Sequence, residues 1–160
     1  MKLSDIETFV VGNPPPRHGG RYFIFVKLVT ECGIIGYGEI YNATFGPNLV
    51  AQMAVDVFER QFAGEDPHHI EKLWHRTYGA GYTQRPDVTV MGVLSGLEMA
   101  CWDIIGKAAG KPAYELLGGK VHERLRSYTY LYPADGDVYP DPDKPNVYND
   151  ADMAAEAAAK

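Results

Sequence analysis

The segment Val93–Gly118, VLSGLEMACWDIIGKAAGKPAYELLG, constrains the chain more than any other. Its apolar residues run round most of a helical wheel instead of along one stripe, the pattern of a helix buried on most sides. With the residues before it, it predicts one long central helix over Thr89–Ala109, stopped by Gly110. A short helix then opens at Pro112, runs through Leu117 and stops at Gly118–Gly119.

The elements before it alternate with period 2. Leu3–Val11 alternates loosely, and Arg21–Cys32 (RYFIFVKLVTEC) is a strong strand of β-branched and aromatic residues. A tight turn at Glu31–Gly33 leads to a third strand, Ile34–Tyr41. There Gly36 and Gly38 weaken the strand and mark a bend or a close backbone approach. The second and third strands make an antiparallel hairpin, and the loop Gly12–Gly20 joins the first antiparallel to them. The period then changes to 3.6. Pro47–Ala63 puts Leu49, Val50, Met53, Val57 and Phe58 on one helix face, with Gly64 just beyond its end. Asp66 and Pro67 read as N-cap and first-turn residues of a helix through Tyr78 carrying Ile70, Leu73, Trp74, Thr77 and Tyr78, and Gly79–Pro86 is a loop.

After residue 122 the β pattern returns in Glu123–Tyr132, with Leu125, Tyr128, Tyr130 and Tyr132. Pro133–Asp150 reads as an exposed loop and Ala151–Lys160 as an alanine-rich helix. The order is that of an α+β domain, a three-stranded antiparallel meander followed by a helical bundle, and then the first unit of a barrel or α/β sheet. A chain that stops at Lys160 with a strand and part of a helix begun is expected to be cut short.

A net charge of −6 argues against nucleic-acid binding but leaves an anionic small molecule open, since a few local cations outweigh a distant negative surface. Asp5 and Glu7 rule out a signal peptide at the N-terminus, and no run reaches the ~20 apolar residues of a membrane span. Cys32 and Cys101 lack CxxC spacing and read as two reduced core thiols of a cytoplasmic protein. His68, His69 and His75 lack HExxH spacing and read as surface or partly packed residues, and Gly79-Ala-Gly81 lacks the context of a nucleotide fingerprint. Glu98 and Asp103, on or near an apolar helix, need partners, and Lys107 or arginine side chains could make structural ion pairs with them. The loop GNPPPRHGG is either a surface connection or a lid-like flap with Arg17 and His18 at its tip.

Ser95, Gly96, Leu97, Glu98, Ala100, Asp103, Ile104, Gly106, Lys107, Pro112, Leu116, Leu117 and Gly118, together with the order of elements, resemble the N-terminal capping domain of the enolase superfamily, in its mandelate racemase/muconate lactonizing enzyme branch. Val93, Cys101 and Ala113 depart from the usual pattern only in core size. The resemblance implies a capping domain over residues 1–122 and the incomplete start of a (β/α)7β barrel over residues 123–160. It implies Mg2+ for the full-length enzyme, with ligands and acid/base groups on later barrel strands, so that this chain holds no catalytic residue and no metal ligand and is inactive alone. It also implies two specificity loops, Asn13–Arg21 and Glu39–Pro47. Arg17 and His18 in the first, and Tyr41, Asn42 and Thr44 in the second, are candidate contacts to an anionic or hydroxylated substrate. Tyr130 and Tyr132 approach the catalytic end of the first barrel strand and are candidate contacts too. Loops this polar suit a sugar acid. The expected reaction is a dehydration that removes the proton α to a carboxylate and expels the β-hydroxyl. The alternatives are a racemase, epimerase or cycloisomerase on the same scaffold, or a non-catalytic fragment that only associates with partners. A homo-oligomer is expected at full length.

Overall fold

The computed structural model describes residues 1–15, 17, 19–42, 45–82, 87–128, 155 and 159. These fall into two compact units, Met1–Val11 with Phe23–Val121, and Gly12–Tyr22 with His122–Lys160.

In the first unit, β1 (Leu3–Gly12), β2 (Tyr22–Thr30) and β3 (Ile35–Ile40) form one sheet in the order β1-β2-β3. Every second residue of β2, Ile24, Val26, Leu28 and Thr30, is buried, so one face of the sheet lies on the core. β2 and β3 are antiparallel, with Leu28 opposite Gly36 and Val26 opposite Gly38. β1 runs antiparallel to β2 as well. Lys2 accepts from the Glu31 N–H at 2.9 Å, Ser4 donates to Val29 at 3.1 Å, and Glu7 pairs with Lys27 at 2.8 Å, so position falls along one strand as it rises along the other. The Glu31–Gly33 turn closes the hairpin with Gly33 at φ 84°, a conformation that favours glycine. Cys32 sits exposed in that turn, so only Cys101 is the core thiol the sequence suggested.

Four helices follow: α1 (Pro47–Val57), α2 (Ile70–Gly79), α3 (Val88–Ala109) and α4 (Ala113–Leu116). Pro47 takes the first turn of α1 as expected, but the helix widens into a π turn over Phe58–Phe62. Its buried residues are Val50, Ala51, Ala54, Phe58 and Phe62. Leu49, expected on the inner face, is exposed. α2 starts later than its Asp-Pro signal suggested. Asp66 accepts from the backbone N–H of His68 at 3.0 Å and closes a turn of its own, and the helix begins only after His69. Leu73 and Thr77 are the residues α2 buries.

α3 is long and apolar enough to cross a membrane by length and composition. Its charged residues and its neighbours identify it as the core helix instead. β3, α1, α2 and α4 all pack on it, and Val93, Leu94, Leu97, Ala100, Cys101 and Ile104 are almost completely buried. The Asp87 carboxylate caps its start by accepting from the N–H groups of Thr89 and Val90 at 2.9 and 3.1 Å. Gly110, in the left-handed region at φ 63°, ends it.

The contact between α3 and β3 is a backbone-to-backbone seam. A Cβ on Gly36 would meet the Ala100 carbonyl and lie 2.7 Å from Ile104 Cγ1, and one on Gly38 would run into the Gly96 carbonyl. The two glycines therefore mark a close approach, the second of the two readings their sequence allowed. In the ladder, Thr30 donates to Ile34 at 3.0 Å, so the alternate residues Ile35 and Tyr37 turn their own N–H and C=O groups to the open edge of β3. α3 satisfies them. Asp103 accepts from the Tyr37 N–H at 2.9 Å, Lys107 donates to the Ile35 carbonyl at 2.8 Å, and the two side chains pair at 2.7 Å. The ion pair expected here exists, and it stands in for a missing neighbour strand.

In the second unit, Glu123–Tyr128 is irregular and exposed where a strand was expected. The rest of that expected strand and the Pro133–Asp150 loop lie outside the described residues. So does most of the Ala151–Lys160 helix, of which Ala155 and Ala159 are helical and exposed.

Candidate functional site

β3 ends at Ile40, and the chain leaves the sheet at Tyr41. Ile40 is anchored in the core, whereas Tyr41 is 81% exposed and Asn42 half-buried. The Asn42 side-chain oxygen accepts from the Phe45 N–H at 3.5 Å, a turn that leads to Gly46 and the first turn of α1. Two of the polar residues expected to face substrate thus stand next to each other just past the end of β3. Thr44 lies outside the described residues.

The other expected loop belongs to the second unit and is well built. The Asn13 N–H donates to the Arg21 carbonyl at 2.9 Å, and the Asn13 side-chain amide donates to the Gly20 carbonyl at 2.7 Å, so one residue clamps both ends. At the tip, the Arg17 N–H donates to Pro14 and the Gly20 N–H to Arg17, at 3.0 and 3.1 Å. Arg17 itself has φ 61°. Such a conformation is costly for a residue with a Cβ, and costs of this kind gather where a side chain must be aimed. Nothing in the sequence signals this strain. His18, Tyr130 and Tyr132 lie outside the described residues.

A concavity of about 740 Å3 opens between α2 and α3 and is lined by His68, His69, Glu98, Trp102 and Ile105 among others. Here Trp102 donates to Glu98 at 3.4 Å, and the His68 ring lies 2.8 Å from the Asp66 carboxylate. Asp66 is held well below the usual carboxylate range, mainly by the His68 N–H and also by the His68 ring and the N-terminal ammonium. Nearby, Glu65 takes Lys72 and Arg76 at 2.7 and 2.6 Å, which lowers its pKa, and Arg76 also donates to the Gln61 carbonyl. Among the described residues no three His, Cys, Asp or Glu side chains come together to hold a metal ion. The described residues therefore do not themselves fit a Mg2+ site.

Sheet, capped core helix and polar turn together define the capping domain of an enolase-type enzyme. Residues 7–118 match the N-terminal domain of the mandelate racemase/muconate lactonizing enzymes, and the chain belongs to that family. It is 38% identical over 131 residues to a D-galactonate dehydratase of Verminephrobacter eiseniae, a match that covers 82% of this chain and 31% of that protein. Among solved structures it is similar to a candidate mandelate racemase/muconate lactonizing enzyme from Labrenzia alexandrii DFL-11, with 89% identity and a TM-score of 0.87 over 99% of this chain and 38% of that one. It is also similar to an enolase from Agrobacterium radiobacter, a candidate galactarate dehydratase bound to Na and L-malate. There the identity is 30% and the TM-score 0.65 over 78% of this chain and 30% of that one. The chain thus spans about a third of the length of the relatives it matches.

Proposed function

We propose that the chain is the N-terminal part of an acid-sugar dehydratase, an enzyme that removes the proton α to a carboxylate and eliminates the β-hydroxyl to leave a 2-keto-3-deoxy acid. The observation that carries the reading is the 38% identity to a D-galactonate dehydratase across most of this chain. The polar turn at Tyr41–Asn42 and the clamped loop around Arg17 support it, because a polyhydroxylated acid needs hydrogen-bond partners and a cation more than apolar walls. In this reading Arg17 and His18 meet the carboxylate or hydroxyls, and Tyr41, Asn42, Thr44, Tyr130 and Tyr132 meet hydroxyls. None of these residues moves the proton. The acid/base groups, and the Mg2+ on which dehydratases of this superfamily depend, belong to the rest of the protein. The division into residues 1–122 and 123–160 is part of the same proposal and is supported by the end of the first unit at Val121. A cytoplasmic location and a homo-oligomeric full-length enzyme belong to the same proposal.

The test is turnover of a sugar-acid panel by the complete protein, with and without Mg2+. A keto-acid product that disappears with the metal supports the reading. Exchange of the α-proton with solvent and no keto acid points to a racemase or epimerase, and no turnover at all removes the proposal. Arg17→Ala should lower kcat/KM roughly 10- to 100-fold if the guanidinium meets the carboxylate. Unchanged kinetics would make its loop a surface connection.

A further inference from the structure

We infer that Gly92 of α3 is a positioning residue for the turn that carries Tyr41 and Asn42; the substrate in this inference rests on the sugar-acid reading above. An added Cβ at Gly92 would lie 2.6 Å from the Tyr41 carbonyl oxygen and 3.7 Å from its carbon, with nothing else among the described residues within 4 Å. Both neighbours are backbone, so no side chain can swing aside. One turn further along α3, Gly96 does the same for the residues just before. An added Cβ there would run into the Ile40 side chain and lie 3.2 Å from the Glu39 oxygen. Residues 39–41 therefore rest directly on the helix backbone, and Gly92 is the last support before the chain leaves the sheet.

The two sides of this contact differ in what holds them. α3 is fixed here by the Asp87 cap and by the buried Val93, Leu94 and Leu97. Tyr41 is mostly exposed and has left the sheet. Relieving a 2.6 Å contact needs a shift of roughly half an ångström, and the less constrained partner takes most of it. A shift of that size at a substrate-facing turn is enough to weaken binding. Alanine is also the better helix former, so the helix itself loses nothing by the change.

The experiment compares Gly92→Ala with Gly79→Ala, a glycine in α2 with nothing among the described residues within 4 Å of its would-be Cβ. Amide hydrogen exchange across residues 41–46 and steady-state kinetics on sugar acids are measured in the complete protein. Gly92→Ala should change exchange in that segment several-fold and raise KM about 10-fold while kcat moves less than about 3-fold. Gly79→Ala should change neither. Unchanged exchange in Gly92→Ala would overturn the inference. So would an unchanged KM in an enzyme that turns over sugar acids, and so would loss of folding, which would put the strain in the core. Altered exchange in a protein that acts on no sugar acid would leave the positioning role standing and remove the substrate reading.

Discussion

At Gly38 the missing side chain is the structural element, because the Gly96 carbonyl occupies the space a Cβ would need. Gly38→Ala should therefore cost about 1–3 kcal/mol, read as a lower urea midpoint at unchanged m-value. The sequence left a bend and a close approach equally open at this glycine. The residues that decide between them, Gly96 and Ala100, lie some sixty positions later, and only the folded helix brings them near. The two cysteines differ in the same way. Cys101 is buried and its thiol is pushed up to about 12, with desolvation the main cause and the Glu98 charge second. Cys32 is exposed and its thiol is lowered, chiefly by the Thr30 hydroxyl 3.3 Å away. A disulfide-exchange reagent should label one thiol per chain in the native state, at a rate that rises below the usual thiol pKa. The second should appear only on unfolding. Because the folded pKa of Cys101 lies above its unfolded value of ~8.5, its contribution to stability is complete below that value and fades as pH climbs toward 12. Two native-state labels would contradict this assignment.

The pairing of α3 with β3 explains why Asp103 and Lys107 sit one helical turn apart. A β edge offers free N–H and C=O groups to any other strand, and here one carboxylate and one ammonium occupy one of each. Asp103→Ala removes the acceptor of the Tyr37 N–H and the partner of Lys107 together. It should cost about 1 kcal/mol, since both groups are partly solvated, and should increase concentration-dependent association through β3. Urea melts and sedimentation velocity on the same samples would check both parts, and a variant as stable as the parent and no more associated than it would refute the bracing role. The pair itself was legible, because acid and base four apart on a helix face each other. What it braces was not, because the strand groups come from residues 35 and 37. The helix ends followed the same rule. Gly110 stops α3 as its sequence indicates, whereas Asp66 looked like a cap and made a separate turn, because its carboxylate is satisfied by His68 before α2 begins.

At the scale of the whole molecule, the three strands and four helices of the described residues were readable from the change of period around Pro47, and the family from Val93–Gly118. The candidate site was readable only in part. Residue types marked Arg17, Tyr41 and Asn42, but the left-handed backbone at Arg17 and the glycine support under Tyr41 are properties of the fold. Val121 is 84% exposed, Leu125 80%, Tyr128 86% and Leu117 65%, all within one short stretch of sequence. Runs of apolar residues left open in this way mark surfaces that something else covers. The relatives this chain matches are about three times as long. We propose that the corresponding additional chain covers this stretch and that the 160-residue chain alone associates with its own copies. Expressed alone at concentrations near 100 μM, it should sediment as species heavier than 17.7 kDa. Changing Leu117, Val121 and Leu125 to serine together should shift it toward monomer without lowering the melting temperature, because none of the three lies in the core. A parent chain that stays monomeric at that concentration would show that these residues are too scattered to bind, and a triple variant that melts earlier would show that they pack within the chain.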